Sequence, residues 1–365
     1  MLHASISRFN DDLLTEILLR LPAVSIFRFK SVSKHWRLLL SQKHFTRRYD
    51  HISKPPTGLI AIDKYVPFDV ENPSTPPFRC LDSYFDHPGV EIVQSCNGLL
   101  LCVTRPKDRN GASKYYVFNP TTKQLALIPP VPRDRSAIWL MSLAFHQTDC
   151  VRYKVICVLS VGPDVGSYQI QVYSSDTNEW KISIESFSAS IYFIRRGVYL
   201  NGAIYWASFF EEINYWYFKI DDQQLHKLPL PLGLIPSEVM TNYLGESRGH
   251  LHLIASKKFQ GDMLHLNVYE ILSDHSGWFV KYQLQLDVIP AAAFPNRIIR
   301  YGPGYEFQVI DVVRGEEEED TFLVLKTLDK IITYNVHDRS FKQIYSFTKY
   351  CSSSFYRYTE TLSSF

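Results

Sequence analysis

The 365-residue sequence has no uninterrupted apolar run approaching the roughly 18 residues that a membrane-spanning helix requires. Its N-terminus also lacks the continuous apolar segment of a secretory signal peptide. We therefore expect no membrane partner and place the chain in the cytoplasm, the nucleus or both.

Cysteine is scarce as well, with six residues in the whole sequence and no Cys-x-x-Cys pair. This excludes a disulfide scaffold and gives no sign of a zinc site. Phosphate-binding glycine loops, the nucleophile elbow Gly-x-Ser-x-Gly and the zinc motif His-Glu-x-x-His are absent too. His250 and His252 alternate on one predicted strand and would face the same side, but a lone pair of this kind is seldom a metal site. The sequence therefore predicts no catalytic residues, no metal and no cofactor.

Charge is balanced over the whole chain, at a net +2, but it is unevenly distributed. Residues 1–50 carry nine basic and four acidic side chains, a net charge of +5, so the remainder carries −3. Apolar side chains interrupt the basic residues of the first segment, and no polar recognition helix stands out. We therefore disfavour a helix-turn-helix and expect no nucleic-acid partner.

The first fifty residues have the pattern of three short helices. Short polar side chains at Asn10, Asp11 and Asp12 predict a helix start, and Pro22 predicts its end. A second helix is expected over residues 24–32 and a third from about Ser33. So many apolar residues on so small a unit must be covered, either by the rest of the chain or by a partner.

From residue 51 onward the sequence has the pattern of repeated β-strands. Glycine-marked strands, tyrosine-rich strands and tight turns recur with a period of about 50 residues, which is typical of propeller blades. Five such units are evident, and residues 58–81 together with 350–365 are expected to form a sixth. A pair of β-sandwiches is the alternative architecture. The fold class is therefore mainly β, with an N-terminal α-helical segment followed by a β-propeller of about six blades.

The N-terminal segment resembles an F-box, in the stretch from Phe9 to Pro22 and again from Phe29 to Arg37. The family pattern usually opens with Leu-Pro, where this chain has Phe9-Asn10. The resemblance implies a surface that docks a Skp-type adaptor and, through it, a cullin. The adaptor contacts that it implies are Phe9, Leu13, Leu14, Ile17, Leu18, Leu21, Pro22, Ile26, Phe29, Val32 and Trp36.

The β-rich part is similar to the F-box-associated domain of plant proteins. The similarity is carried by Ser95–Leu101, by the turn Phe118–Thr122 and by Tyr153–Val155, and it extends from about residue 92 to residue 286. The expected organisation is an F-box at 1–50 and a kelch-like propeller at 51–365. Together the two resemblances imply a non-catalytic substrate receptor of a Skp–cullin–F-box ubiquitin ligase, with an unidentified target protein bound by the propeller.

A propeller-fold enzyme, a hydrolase or an oxidase with a helical cap, is the rival interpretation. It lacks a motif-supported acid–base pair or metal cluster in the sequence. The acidic run Glu316–Asp320 is expected to be a mobile hairpin tip, and Arg195-Arg196, beside Tyr192 and Phe193, is a weak candidate for binding an anion. The pattern does not identify which residues bind the target.

Overall fold

The computed structural model describes most of the chain, with gaps mainly at connections between strands. The described residues are 2–52, 55–86, 89–105, 113–132, 137–146, 152–161, 166–188, 196–207, 215–235, 239–257, 265–286, 308–327, 329–347 and 354–365. Within α1, the side chains of residues 2–10 lie outside this description. No helix among the described residues combines the length and the apolar character needed to cross a membrane.

The N-terminal module contains four helices rather than the three predicted. They are α1 (Leu2–Leu19), α2 (Ala23–Phe29), α3 (Lys34–Leu40) and α4 (Lys43–His51). The first helix begins at Leu2, so Asn10, Asp11 and Asp12 lie inside it rather than at its start. Asp11 instead forms a 2.7 Å contact with His35 on α3, which ties the two helices together. The predicted third helix start is confirmed, because the Ser33 hydroxyl accepts a hydrogen bond from the Trp36 backbone N–H at 3.1 Å.

The unpredicted helix α4 completes a small helical core. Phe45 and Tyr49, one turn apart on α4, are both fully buried. Their partners in the core include Leu18, Leu19, Ala23, Ile26 and Leu40. The module therefore has an apolar centre of its own before any partner binds.

Twenty-three strands follow among the residues that the structure describes, and the predicted propeller of about six blades is confirmed. Blade 1 contains β3 (Val90–Cys96), β4 (Leu99–Thr104), β5 (Lys114–Asn119) and β6 (Gln124–Leu127). Blade 2 contains β7 (Ala137–Phe145), β8 (Tyr153–Ser160), β9 (Ser167–Ser174) and β10 (Glu179–Ser188). Blade 3 contains β11 (Val198–Leu200), β12 (Ala203–Ala207), β13 (Tyr215–Lys219) and β14 (Gln224–Leu228). Blade 4 contains β15 (Val239–Ser247), β16 (His250–Lys257), β17 (His265–Ile271) and β18 (Trp278–Gln285). Blade 5 contains β19 (Gln308–Val313), β20 (Phe322–Lys326), β21 (Lys330–Asn335) and β22 (Phe341–Ser346).

The closing blade is made from both ends of the β-rich region. It pairs β1 (Gly58–Ile60) with β2 (Tyr65–Pro67) on one side and with β23 (Tyr356–Tyr358) on the other. Gly58 lies opposite Tyr358 in an antiparallel register. The predicted association of residues 58–81 with the C-terminal segment is thus present, and the β-sandwich alternative is wrong because each blade is a separate four- or three-stranded sheet.

Turn chemistry explains why the blades form where the sequence marks them. Asn97-Gly98, Asn201-Gly202 and Arg248-Gly249 all have positive φ at both positions, the conformation of a two-residue hairpin turn that matches strand twist. The turn between the third and fourth strands of each four-stranded blade likewise contains a residue with positive φ. These residues are Lys123, Asn178, Gln223, His275 and Arg339.

Neighbouring blades are fastened by a repeated hydrogen bond. The Trp180 indole of blade 2 donates to the Pro129 carbonyl, which follows blade 1, at 2.9 Å. The Trp278 indole of blade 4 donates to the Pro229 carbonyl, which follows blade 3, at 2.8 Å. At both junctions the carbonyl of a proline that follows one blade accepts from a tryptophan of the next blade, so a partly buried indole N–H is satisfied.

Candidate functional site

The surface of the helical module carries apolar side chains that its own core does not use. Leu13 and Ile17 lie one turn apart on α1 and are 59% and 55% exposed. Val32, after α2, and Leu38, on α3, are also exposed. Several large apolar side chains are therefore exposed on one small module, which makes this face the candidate for a docking surface.

Four other residues of the predicted adaptor-contact set are partly buried and partly exposed. Leu14, Leu21, Phe29 and Trp36 are half-buried and pack against the helical core. The Phe29 and Trp36 rings meet edge to face, with centroids 5.3 Å apart. Pro22 is exposed between α1 and α2.

The structure narrows the predicted set of contacts. Leu18 and Ile26 are 1% and 0% exposed inside the helical core, so they support the surface from below rather than line it. Phe9 lies in α1, but its side chain is outside the described residues. Leu38 was missed by sequence reasoning because it stands in the run Leu38-Leu39-Leu40, where spacing alone does not separate the outward leucine from the buried one.

Basic side chains are exposed on the same module. Arg20 directly follows α1, Arg28 lies on α2, and Lys34 and Arg37 lie on α3. The Glu16 carboxylate accepts hydrogen bonds from Arg48 and Arg20, and these hydrogen bonds lower the pKa of the carboxyl. The predicted positive charge of the segment is therefore presented at the surface.

On the propeller, the His250–His252 pair belongs to a polar network between blades 4 and 5. The Glu270 carboxylate lies 2.7 Å from His250 Nδ1, 3.5 Å from His252 Nε2 and 3.1 Å from Arg314 Nη1. Burial alone would raise the pKa of Glu270, but the contact with His252 and the charges of His250 and Arg314 lower it to about 2. Burial lowers the pKa of His252. This network joins two blades, and the part of the chain that is described holds no group of three or more His, Cys, Asp or Glu side chains fit to bind a metal.

The acidic run lies in the connection between β19 and β20, as predicted, and Glu318 within it is held by contacts to other residues. A 3₁₀ turn spans Glu318–Asp320, and the Glu318 carboxylate lies 2.6 Å from Lys281 Nζ and accepts a hydrogen bond from the Tyr282 hydroxyl at 2.8 Å. Arg314 adds a further contact at 3.4 Å. Lys281 of the neighbouring blade and Arg314 of the same hairpin supply the charges that offset the repulsion within the run.

A cavity of about 610 Å³ lies between blades 3 and 4. Tyr205, His275 and Tyr217 form a stack of nearly parallel rings on its wall, and the Tyr205 hydroxyl is hydrogen-bonded to His275 Nε2 at 2.6 Å. Burial, with the charge of Lys219, lowers the pKa of His275. Asp221 and Asp222 lie at its rim. The volume is in the range of ligand pockets, although no sequence motif pointed to it.

The Arg196 guanidinium stacks 4.0 Å from the centre of the Tyr356 ring at the propeller centre. Arg195, Tyr192 and Phe193, the other members of that predicted anion site, lie outside the described residues.

Fold and surface define a two-module protein, a helical docking module followed by a six-bladed β-propeller. The family model for the F-box domain matches residues 6–48, and the model for the F-box associated beta propeller domain matches residues 66–228. The chain belongs to the F-box proteins that carry this propeller.

Plant relatives support the assignment over the full length. F-box protein At5g07610 of Arabidopsis thaliana is 30% identical over 384 residues, covering 96% of this chain and 90% of the relative. F-box protein At5g49610 of the same plant is 34% identical over 218 residues, covering 54% of this chain and 58% of the relative. The putative F-box/kelch-repeat protein At1g13200, also from Arabidopsis thaliana, is 26% identical over 268 residues, and the match covers 61% of this chain and 60% of the relative.

Solved structures show only a distant likeness. TolB from Acinetobacter baumannii is 10% identical with a TM-score of 0.38, over 68% of this chain and 53% of that one. Oligogalacturonate lyase from Vibrio parahaemolyticus is 9% identical with a TM-score of 0.39, over 70% of this chain and 77% of that one. Likeness at this level carries no argument about function.

Proposed function

We propose that this protein is the substrate-recognition subunit of a Skp–cullin–F-box ubiquitin ligase. Its helical module docks a Skp-type adaptor, and its propeller binds a target protein for ubiquitination and proteasomal degradation. Ubiquitin transfer is carried out by other subunits, so the chain acts as a non-catalytic receptor.

The observation that carries the proposal is the exposure of Leu13 and Ile17 on a module whose core is already filled. Leu18, Leu19, Phe45 and Tyr49 complete that core without them. An amphipathic helix with apolar residues at this spacing is a common means of docking into a hydrophobic groove. The family assignment gives the kind of partner that such a groove belongs to.

Charge supports the same partner. Residues 1–50 carry a net +5, and the exposed basic side chains of this module favour an adaptor that presents acidic residues. Complementary charge at the rim of an interface increases the association rate and suppresses incorrect partners.

The test is a pull-down of adaptor with the variant Ile17→Asp. The side chain is 55% exposed in the free chain, so the variant is expected to fold normally. In the complex the new carboxylate would be buried without a partner, at a cost of several kcal/mol, in addition to about 1 kcal/mol of lost apolar burial. Binding is therefore expected to weaken by about a thousandfold or more, which removes the adaptor from the pull-down.

A matched control is available on the propeller. Leu127 on β6 is also 55% exposed, so Leu127→Asp introduces the same charge at the same exposure away from the helical module. This control should retain the adaptor. Undiminished adaptor binding by Ile17→Asp and by the corresponding Leu13→Asp variant would contradict the proposed docking surface.

A further inference from the structure

The last residues of the chain, 359–365, continue beyond the closing strand β23 and pass between the F-box and the propeller. We propose that this C-terminal strap fixes the orientation of the F-box relative to the propeller, with Asp50 and Glu360 as the positioning residues. Domains joined only by a short linker are expected to move relative to each other, so a rigid arrangement requires contacts of this kind.

On the F-box side, Asp50 at the end of α4 binds the strap directly. Its carboxylate is 2% exposed and accepts hydrogen bonds from Thr361 Oγ1 at 2.8 Å, the Leu362 backbone N–H at 2.9 Å and Ser363 Oγ at 2.5 Å. A carboxylate buried this deeply is tolerated only when hydrogen bonds satisfy it. The strap therefore supplies the partners that allow Asp50 to be buried.

Glu360 performs the complementary role at the start of α2. Pro22, which precedes that helix, offers no side-chain cap, and the Ala23 backbone N–H instead donates to Glu360 Oε2 at 2.8 Å. An anionic group at this position also interacts favourably with the helix dipole. The same carboxylate oxygen lies 3.3 Å from the Tyr49 hydroxyl, whose pKa is raised by burial and by the charges of Glu360 and Asp50.

Apolar packing also joins the strap to the F-box. Leu362 is 6% exposed and belongs to the helical core that includes Leu18, Ile26 and Phe45. A residue more than three hundred positions away in sequence thus completes the F-box core. The F-box and the C-terminus of the propeller share one hydrophobic cluster.

On the propeller side, blade 1 receives the strap through its turns. Asn119 Nδ2 donates to the Thr361 and Ser363 carbonyls at 3.3 and 2.8 Å, while its Oδ1 accepts from the Thr121 backbone N–H at 2.8 Å. At Gly98, where φ is +92°, a Cβ would lie 2.6 Å from the Thr361 methyl carbon and 2.7 Å from the Thr359 carbonyl. The turns that identify blade 1 in the sequence therefore also form the seat of the strap.

Phe365 ends the strap on blade 2. Its ring meets Tyr153 edge to face, with centroids 5.3 Å apart. The strap is thus anchored to the F-box, to blade 1 and to blade 2. A fixed orientation would hold a bound target at a constant distance from the rest of the ligase, a consequence that rests on the proposed function, whereas the fixed orientation itself does not.

The experiment measures the distance between the two modules in the purified full chain, with no adaptor added. Spin labels are placed at Ser41→Cys on the F-box and Asp222→Cys on the propeller, both exposed, in a background where Cys80, Cys150 and Cys351 are replaced by serine. The unaltered strap should give one narrow distance distribution. The double variant Asp50→Ala/Glu360→Ala should lose that narrow peak.

Rescue by a conservative variant separates positioning from general instability. Glu360→Gln retains an oxygen that accepts from Ala23, so it should keep the narrow peak that Glu360→Ala loses. If the double variant does not fold, the two single Glu360 variants provide the comparison. A narrow peak retained by the double variant, or by Glu360→Ala where the double variant does not fold, would overturn the proposal. Failure of the proposed ligase role would leave the distances unaffected.

Discussion

The contacts of Arg357, on the closing strand β23, allow the closure of the propeller to be tested by mutation. Its guanidinium reaches into the central channel, where Nε donates to Asp311 Oδ2 at 2.7 Å and Nη2 donates to the Val312 carbonyl at 2.8 Å. Glu246 lies 3.8 Å from Nη1, and the Tyr243 hydroxyl donates to the other oxygen of Asp311 at 2.9 Å. Burial alone would lower the pKa of Arg357, but Asp311, Tyr243 and Glu246 together raise it above the ordinary range of arginine.

Replacing Arg357 by methionine removes the charge while keeping much of the side-chain volume. The Asp311 side chain is 6% exposed, so its carboxylate would be left buried without the arginine. Breaking one partner from a buried pair costs about 3–5 kcal/mol, a large part of the roughly 5–15 kcal/mol that stabilises a typical domain. Urea denaturation of the full chain, followed by tryptophan fluorescence, should therefore show a midpoint well below that of the unaltered protein.

Two further variants sharpen the interpretation. Arg357→Met/Asp311→Leu removes both charges and should recover most of the lost stability, because no unpaired charge remains between them. Arg105→Met breaks an exposed pair, in which Arg105 and Glu91 are 3.0 Å apart and 68% and 50% exposed, and should cost at most about 1 kcal/mol. If Arg357→Met were as stable as Arg105→Met, the buried pair would not be holding the closing strand.

Three other predictions concern the propeller. A chain that ends before Tyr350 lacks β23, so β1 loses its partner and the unpaired edge should cause aggregation; a monomeric product with an unchanged melting temperature would contradict this. Glu270 has a folded-state pKa of about 2 against an ordinary 4.5, so its stabilising contribution should be present above pH 4.5 and be lost as the pH falls from 4.5 toward 2. Acid titration of Glu270→Gln should therefore show a flatter loss of stability over that window, and an unchanged slope would argue against the network. Gly98→Ala should displace the strap because a Cβ at this position has no room. Faster hydrogen exchange at the Leu362 amide would report the displacement. Unchanged protection would show that the strap accommodates the methyl group.

Residue pairs typical of tight turns allowed the propeller to be predicted from the sequence. Asn97-Gly98 and Asn201-Gly202 require a backbone conformation that favours these residue types, so they marked blade turns without any knowledge of tertiary contacts. The start of α1 was misplaced because short polar residues such as Asp11 favour helix starts but can also lie within a helix when a tertiary partner, here His35, binds them. Helix α4 was missed because Phe45 and Tyr49 are its only buried apolar side chains in a basic segment.

Long-range contacts were beyond the reach of sequence patterns. The acidic run is ordered by Lys281, which lies on the neighbouring blade, and the strap is held by Asp50, more than three hundred positions away. Spacing predicted a helix through Leu13 and Ile17, which α1 contains, but it did not separate the exposed Ile17 from the buried Leu18. Adjacent residues on a helix point in different directions, and only the packing of α4 and the strap determines which of them is covered.

If the chain connects a target protein to a ubiquitin ligase, it should shorten the lifetime of that target, which a degradation chase measures. Proteins that co-purify with the full chain are followed in cells that express the unaltered chain, Ile17→Asp or the Leu127→Asp control. We expect proteasome-dependent shortening of a partner's half-life with the unaltered chain and with Leu127→Asp, and no shortening with Ile17→Asp. Equal half-lives for every partner under all three chains and an empty vector would contradict it.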